Sequence, residues 1–174
     1  MKKFYNIEGM IRNGFKLSRD YETLDFSFEN FSDAAAESLA KAKSIKQLRR
    51  LTISGKKLTA VSAKALGSSE TLGNLESLKL YKNKIGDEGI KYFAESKKLP
   101  NLKSLRLSWN DIGPMGAKYI AESTNLGNLT TLVLSENKIG DEGLKYLAEA
   151  QSLNSLESLD LRKNNVTDRG AKAL

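Results

Sequence analysis

One phrase of the sequence recurs at a fixed spacing, and this repetition limits the possible folds more than any other feature. The segment Asn83–Ser96 reads NKIGDEGIKYFAES, and Asn137–Ala150, 54 residues later, reads NKIGDEGLKYLAEA. A variant, NDIGPMGAKYIAES, begins halfway between them at Asn110. The chain is therefore a repeat protein with a period of 27 residues. Each repeat is expected to be one structural unit that packs against its neighbours.

Steps of 27 residues divide most of the chain into five full units and one partial unit: 20–46, 47–73, 74–100, 101–127, 128–154 and 155–174. Residues 1–19 lie outside the period and contain Asn13-Gly14 between apolar residues, which is a hairpin signal. We therefore predict that residues 1–19 form an N-terminal cap, with a hairpin as its candidate structure.

Each unit begins with a strand-like pattern and continues with a helix-like one. In the third unit the opening is L-x-x-L-x-L-x-x-N-x-I, from Leu75 to Ile85, and it recurs in the three units that follow. Residues two apart in this pattern point to the same face of a strand. The second half of the unit places apolar residues at the i, i+3 and i+4 positions of a helix, here Ile90, Phe93 and Ala94.

This pattern resembles the leucine-rich repeat, and the helical half of each unit is similar to the ribonuclease-inhibitor class of that family. The resemblance covers residues 20–174 and implies an α/β solenoid, a horseshoe with a concave parallel β-sheet and convex α-helices. It also implies that the recurrent asparagines point inward and bond to backbone groups of the turns: Asn83, Asn110, Asn137 and Asn164. The central leucines are expected to stack in the core: Leu78, Leu105, Leu132 and Leu159.

Two recurrent features could suggest chemistry, but each has a simpler structural explanation. The acid pairs Asp87-Glu88 and Asp141-Glu142 fall in first helical turns, where the helix dipole favours negative charge. Tyrosines recur at one helical position, where packing between successive helices is the expected role: Tyr92, Tyr119 and Tyr146. The sequence contains no histidine and no cysteine. We therefore predict a protein that is not an enzyme, with no catalytic residues, no cofactor and no metal site.

The exposed positions of the concave face lie between and just after the leucines, and most of them are small and polar. The larger side chains gather in the third and fourth units: Lys79, Tyr81, Lys82, Arg106 and Trp109. Because adjacent strands lie about 4.8 Å apart, these residues are predicted to form one patch, called here the concave patch. Tryptophan, tyrosine and arginine are enriched in binding hot spots. An alternative interpretation is that these residues form a solvated rim in which the indole of Trp109 is partly buried.

The net charge of +7 is concentrated in residues 1–19 and 47–127, and acidic units lie on either side of the second region. This alternation argues against a long phosphate track and therefore against nucleic acid as the partner. It favours a protein partner with an acidic patch. The predicted function is non-catalytic protein–protein recognition on the concave face. One alternative is a RanGAP-like regulator of a small GTPase, since such activators have similar repeats, and another is nucleic-acid binding through the basic units.

No apolar run approaches the roughly 18 residues of a membrane span, and the first residues lack the apolar region of a signal peptide. We therefore expect no membrane insertion, and either a cytoplasmic location or export into a host cell without a cleavable signal. The sequence stops at Leu174, within the helical half of the sixth unit. A longer array, a covering molecule or self-association is expected at this edge, where apolar side chains lack a cover: Leu161, Val166 and Leu174.

Overall fold

Six short parallel strands, one from each repeat, form a single sheet in the computed structural model, which describes residues 6–172. The strands are β1 (Thr23–Asp25), β2 (Arg50–Thr52), β3 (Ser77–Lys79), β4 (Ser104–Arg106), β5 (Thr131–Val133) and β6 (Ser158–Asp160). They pair in chain order, and each residue lies opposite its equivalent one repeat away, as Leu78 does with Leu51 and Leu105. The predicted α/β solenoid is confirmed.

A helix follows each strand and covers the side of the sheet that carries the leucines. These helices are α2 (Asp33–Leu39), α3 (Ala60–Gly67), α4 (Gly86–Ala94), α5 (Pro114–Ala121), α6 (Gly140–Ala148) and α7 (Asp168–Ala171), with a 3₁₀ turn at Lys43–Ile45. In α4, Ile90 and Phe93 are fully buried, as the helical spacing predicts. The core therefore lies between one layer of strands and one layer of helices, and it runs through successive repeats.

The leucine column is buried everywhere except in the last unit. Leu78, Leu105 and Leu132 are inaccessible to solvent, whereas Leu159 is 39% exposed. The prediction that Leu159 lies in the core is thus wrong, because no further repeat packs on β6 within the described residues. Leu161 and Val166 are half-buried, and Leu174 lies outside the residues that the structure describes.

Residues 7–18 form a helix, α1 (Ile7–Ser18), so the predicted hairpin is wrong. The Asn6 side chain accepts a hydrogen bond from the Gly9 amide at 3.0 Å and caps the helix, while Ile11 and Phe15 bury one face of it. Gly14 lies inside the helix, and a Cβ atom there would come within 2.6 Å of Leu24. This glycine therefore permits close packing of α1 on β1 and does not make a turn.

From the second unit to the sixth, the turns between strand and helix alternate between two conformations with a period of two repeats. Each of these turns has two residues with positive φ, and in the third and fifth units the second of them is Gly86 or Gly140, at +61° in each. In the even-numbered units it lies two positions earlier in the repeat, at Lys57, Asp111 and Asn165. Neighbouring units thus differ while alternate units match, which explains why the same phrase returns after 54 residues.

Candidate functional site

The concave patch lies on β3, β4 and the turns that follow them. Lys79 and Arg106 are register partners on these strands, and the Lys82 amide donates a hydrogen bond to the Ser108 carbonyl at 2.9 Å. All five side chains of the patch are exposed, including Tyr81 at 46% and Trp109 at 48%. Strand alternation places Lys79, Tyr81 and Arg106 opposite the leucines, whereas Lys82 and Trp109 are exposed on turns where the backbone has positive φ. The one-repeat register brings the two units side by side.

The backbone holds Trp109 in a conformation that few residues of its size adopt. Its φ angle is +59°, and Lys82 has a φ of +55° at the equivalent position. A bulky side chain in this region is disfavoured unless its surroundings fix it. Here the Trp109 amide donates to Ser135 at 3.2 Å, and its carbonyl accepts from the Asn83 amide at 3.0 Å. The indole is therefore attached to a constrained turn.

The asparagine column supplies this constraint from inside the solenoid. All four asparagines are buried: Asn83, Asn110, Asn137 and Asn164. In one example, the Nδ2 of Asn110 donates to the carbonyl of Leu107 at 3.0 Å and to that of Leu80, in the preceding unit, at 2.8 Å. Buried amides need partners of this kind. The inward, structural role that the family resemblance implies is confirmed, and these residues are not available to a ligand.

Several other cations on this side of the molecule are paired with carboxylates. Arg50 bonds Asp20 at 2.8 Å, Arg49 bonds Glu76 at 2.7 Å, and Lys163 bonds Glu136. Arg162 bonds Asp160 at 2.8 Å, and this hydrogen bond lowers the pKa of Asp160 to about 2.

The basic residues of the concave patch differ from those cations. Within residues 6–172, no carboxylate forms an ion pair with Lys79, Lys82 or Arg106. The patch therefore combines three uncompensated positive charges with two exposed aromatic rings.

Phe28 is an exposed aromatic residue that the sequence prediction leaves out of the patch. It occupies the column of Lys82 and Trp109, in the first unit, and is 97% exposed. Its unit departs most from the consensus, so only its column position signals a surface role.

The recurrent aspartates at the helix starts hold neighbouring repeats together. Asp33 accepts hydrogen bonds from the Thr59 amide at 2.9 Å and from the hydroxyls of Thr59 and Ser62. Burial raises the pKa of Asp33, but the hydrogen bonds from Ser62 and Thr59 outweigh it, and the pKa is lowered overall. Asp87 likewise accepts from the Gly113 amide at 2.6 Å. The helix dipole alone is thus an incomplete explanation, because each carboxylate also binds the start of the next helix.

The tyrosine column has the packing role expected from the sequence. Each ring lies near the lysine of the preceding helix, with Nζ to ring-centre distances of 5.6 Å for Lys64–Tyr92, 6.0 Å for Lys91–Tyr119 and 5.5 Å for Lys118–Tyr146. These distances are typical of cation–π contacts. In the part of the chain that the structure describes, no helix is long and apolar enough to cross a bilayer, and no group of acidic residues could hold a metal ion.

The sequence and structure were compared with known proteins. The family model described as "Leucine Rich repeat" matches residues 74–94, 98–121, 128–148 and 152–174, which together make up about half of the chain. No curated protein sequence matches. The structure is similar to the tropomodulin C-terminal domain of Caenorhabditis elegans, with a TM-score of 0.59 and 14% identity over 83% of this chain and 90% of that one.

An internalin from Listeria monocytogenes str. 4b F2365 also matches, with a TM-score of 0.37 and 18% identity over 87% of this chain and 64% of that one. At these identities the tropomodulin likeness concerns the fold alone.

Proposed function

This chain belongs to the leucine-rich repeat family, and from that premise we propose that it is a non-catalytic recognition module that binds an acidic protein through the concave patch. The observation that carries the proposal is the set of uncompensated cations, Lys79, Lys82 and Arg106, around exposed Tyr81 and Trp109. Repeats of this family generally serve protein–protein interaction, and the repetitive scaffold presents an extended surface for that purpose.

The two aromatic rings would supply most of the binding free energy. Tryptophan and tyrosine dominate interface energetics when a partner buries them fully, and each is about half exposed here. Because the turn that carries Trp109 is fixed by backbone hydrogen bonds to neighbouring repeats, little backbone entropy would be lost on binding.

The cations would select the partner and guide its approach. Charges on opposite surfaces raise the association rate and discriminate against partners with the wrong charge. A partner with carboxylates around an apolar pocket would match Lys79, Lys82 and Arg106 and accept the indole between them. Elsewhere on this side of the molecule, acidic residues are already paired with cations of the chain itself. The concave patch, whose cations are unpaired in the described part of the chain, is therefore the surface that complements an acidic partner.

The proposal is tested by capturing partners from candidate lysates on the immobilised protein and then measuring each purified partner against variants. We expect Trp109→Ala to weaken binding by about 2 kcal/mol or more, as loss of a hot-spot indole does. Arg106→Glu should slow association and reduce its sensitivity to salt. The matched control is Lys145→Glu, which changes an exposed residue on α6. Loss of binding in the control, with both concave variants unaffected, would place the interface on the helices.

The two alternatives make different predictions for the same protein. A RanGAP-like regulator would stimulate GTP hydrolysis by a small GTPase. A nucleic-acid binder would hold oligonucleotides with an affinity that falls steeply as salt rises. Either result, obtained without a protein partner, would replace the function proposed here.

A further inference from the structure

The contact between a lysine and the tyrosine of the next helix is missing between α2 and α3. The positions equivalent to Lys64 and Tyr92, one repeat earlier, are Glu37 and Ala65. Ala65 has no ring to fill the space between α2 and α3, and a groove of about 810 Å³ opens to solvent there. Lined by residues of both helices, it is called here the α2–α3 groove.

The groove has an apolar floor and a basic rim. Val61, which is 48% exposed, forms part of the floor together with Ala40 and Ala65. The rim carries four lysines: Lys41, Lys43, Lys46 and Lys64.

The acids at the groove do not balance these charges. Only Glu37 and Glu70 line it, and Glu70 is already bonded to Lys98 at 2.7 Å. The groove thus keeps a net positive charge.

We infer that the α2–α3 groove binds an aromatic side chain from an acidic peptide segment of a partner protein. The shape argument is internal to the molecule, because the equivalent groove one repeat later, where Tyr92 stands in place of Ala65, measures only about 360 Å³. The volume lies within the range of pockets that bind drug-sized ligands, so it is large enough to admit an aromatic side chain. The charge argument is the lysine rim, which attracts carboxylates that flank the inserted ring.

A peptide fits this groove better than a nucleic acid does. The lysines surround one short groove between two helices, and Glu37 and Glu70 interrupt them. Nucleic-acid binding instead needs a continuous basic track that follows the phosphates. The occupant is therefore a protein segment with an aromatic residue among aspartates and glutamates.

The experiment uses a fluorescently labelled acidic peptide with one central tyrosine, and anisotropy reports its binding. The full chain should bind it saturably, and a peptide with alanine in place of the tyrosine should bind at least about tenfold more weakly. In the protein, Ala65→Tyr should narrow the groove, as Tyr92 does one repeat later, and weaken binding to a similar extent. The double variant Glu37→Lys/Ala65→Tyr restores the full lysine–tyrosine pair and should also lose binding while keeping a normal melting temperature.

Two further variants separate this site from the concave patch and from a folding defect. Trp109→Ala should bind the peptide as the unchanged protein does. Lys41→Glu combined with Lys43→Glu alters only exposed rim residues and should weaken binding even if Ala65→Tyr unfolds the chain. The inference would be overturned if the two peptides bound equally well, if the rim variant bound the peptide as tightly as the unchanged protein, or if binding did not saturate at about 1 mM peptide. Displacement of the peptide by a single-stranded oligonucleotide with higher affinity would overturn it in favour of nucleic acid.

Discussion

Replacing individual asparagines of the buried column with alanine should reveal the two-repeat alternation as a difference in stability. The Oδ1 atom of Asn137 accepts two backbone hydrogen bonds, from the Asn110 amide at 2.9 Å and the Ile112 amide at 3.1 Å. The Oδ1 atom of Asn110 accepts only one, from the Ile85 amide at 3.3 Å. Asn137→Ala should therefore destabilise the protein more than Asn110→Ala.

The magnitude follows from the donors that each substitution leaves without a partner. The carbonyls bonded by the two side chains cancel in the comparison, because each has a second donor. The leucine carbonyls are also bonded by the neighbouring asparagine of the column, and the carbonyls of Ser108 and Ser135 accept from backbone amides. Leu107, for example, accepts from both Asn110 and Asn137 at 3.0 Å. One additional unsatisfied buried amide costs about 1–3 kcal/mol. We therefore expect Asn137→Ala to lower the free energy of unfolding by that much more than Asn110→Ala does.

Urea unfolding measures the difference. With a slope of about 2 kcal/mol/M, the two midpoints should lie roughly 0.5–1.5 M apart. The control is Asn101→Ala, which removes a single bond from an exposed side chain to the Gly73 carbonyl, at 2.8 Å. It should cost no more than about 1.5 kcal/mol. Equal midpoints for the two buried variants, or a lower midpoint for Asn110→Ala, would refute the reasoning about unsatisfied amides.

Three further predictions concern the core, the hydrogen bonds by which Asp33 holds the next repeat, and the last strand. Leu105→Ala should lower the free energy of unfolding by about 2–5 kcal/mol in the same urea assay, because the side chain is fully buried; a loss below about 1 kcal/mol would contradict this. The pKa of Asp33 is lowered in the folded state, so its stabilising contribution is present above the unfolded pKa of about 3.9 and is lost as the pH falls through the folded value. Thermal melts at about pH 6 and pH 3 should thus show a smaller acid-induced loss in Asp33→Asn than in the unchanged protein. The partly exposed Leu159 on β6 should promote self-association, which light scattering detects and which Leu159→Glu should abolish. If light scattering shows that the unchanged protein is a monomer at all concentrations, this prediction is wrong.

The repeat period predicts most of the fold because stacking turns a sequence interval into a spatial register. Residues 27 apart, such as Lys79 and Arg106, become partners on adjacent strands. The N-terminal segment shows where local signals fail. Asn13-Gly14 suggests a turn, but burial of Ile11 and Phe15 on one face and the cap from Asn6 stabilise a helix through it.

Features that depend on contacts between units could not be predicted from one column at a time. Sequence shows Asp33 at a helix start, but not that its carboxylate binds Thr59 and Ser62 of the next unit. In the candidate site, strand alternation predicts which side chains are exposed. It does not predict that Glu136 pairs with Lys163 and leaves the cations near Trp109 uncompensated, because that depends on side-chain reach across the turns.

The central claim is that a protein partner covers the concave patch, and the single tryptophan of the chain reports on it directly. Because Trp109 is the only tryptophan, incorporation of fluorotryptophan gives one fluorine NMR resonance from the centre of the patch. A partner captured from lysate should shift or broaden this resonance in proportion to its bound fraction, whereas the acidic peptide of the α2–α3 groove should leave it unchanged. A partner that saturates the protein while the Trp109 resonance keeps its position and width would contradict the account.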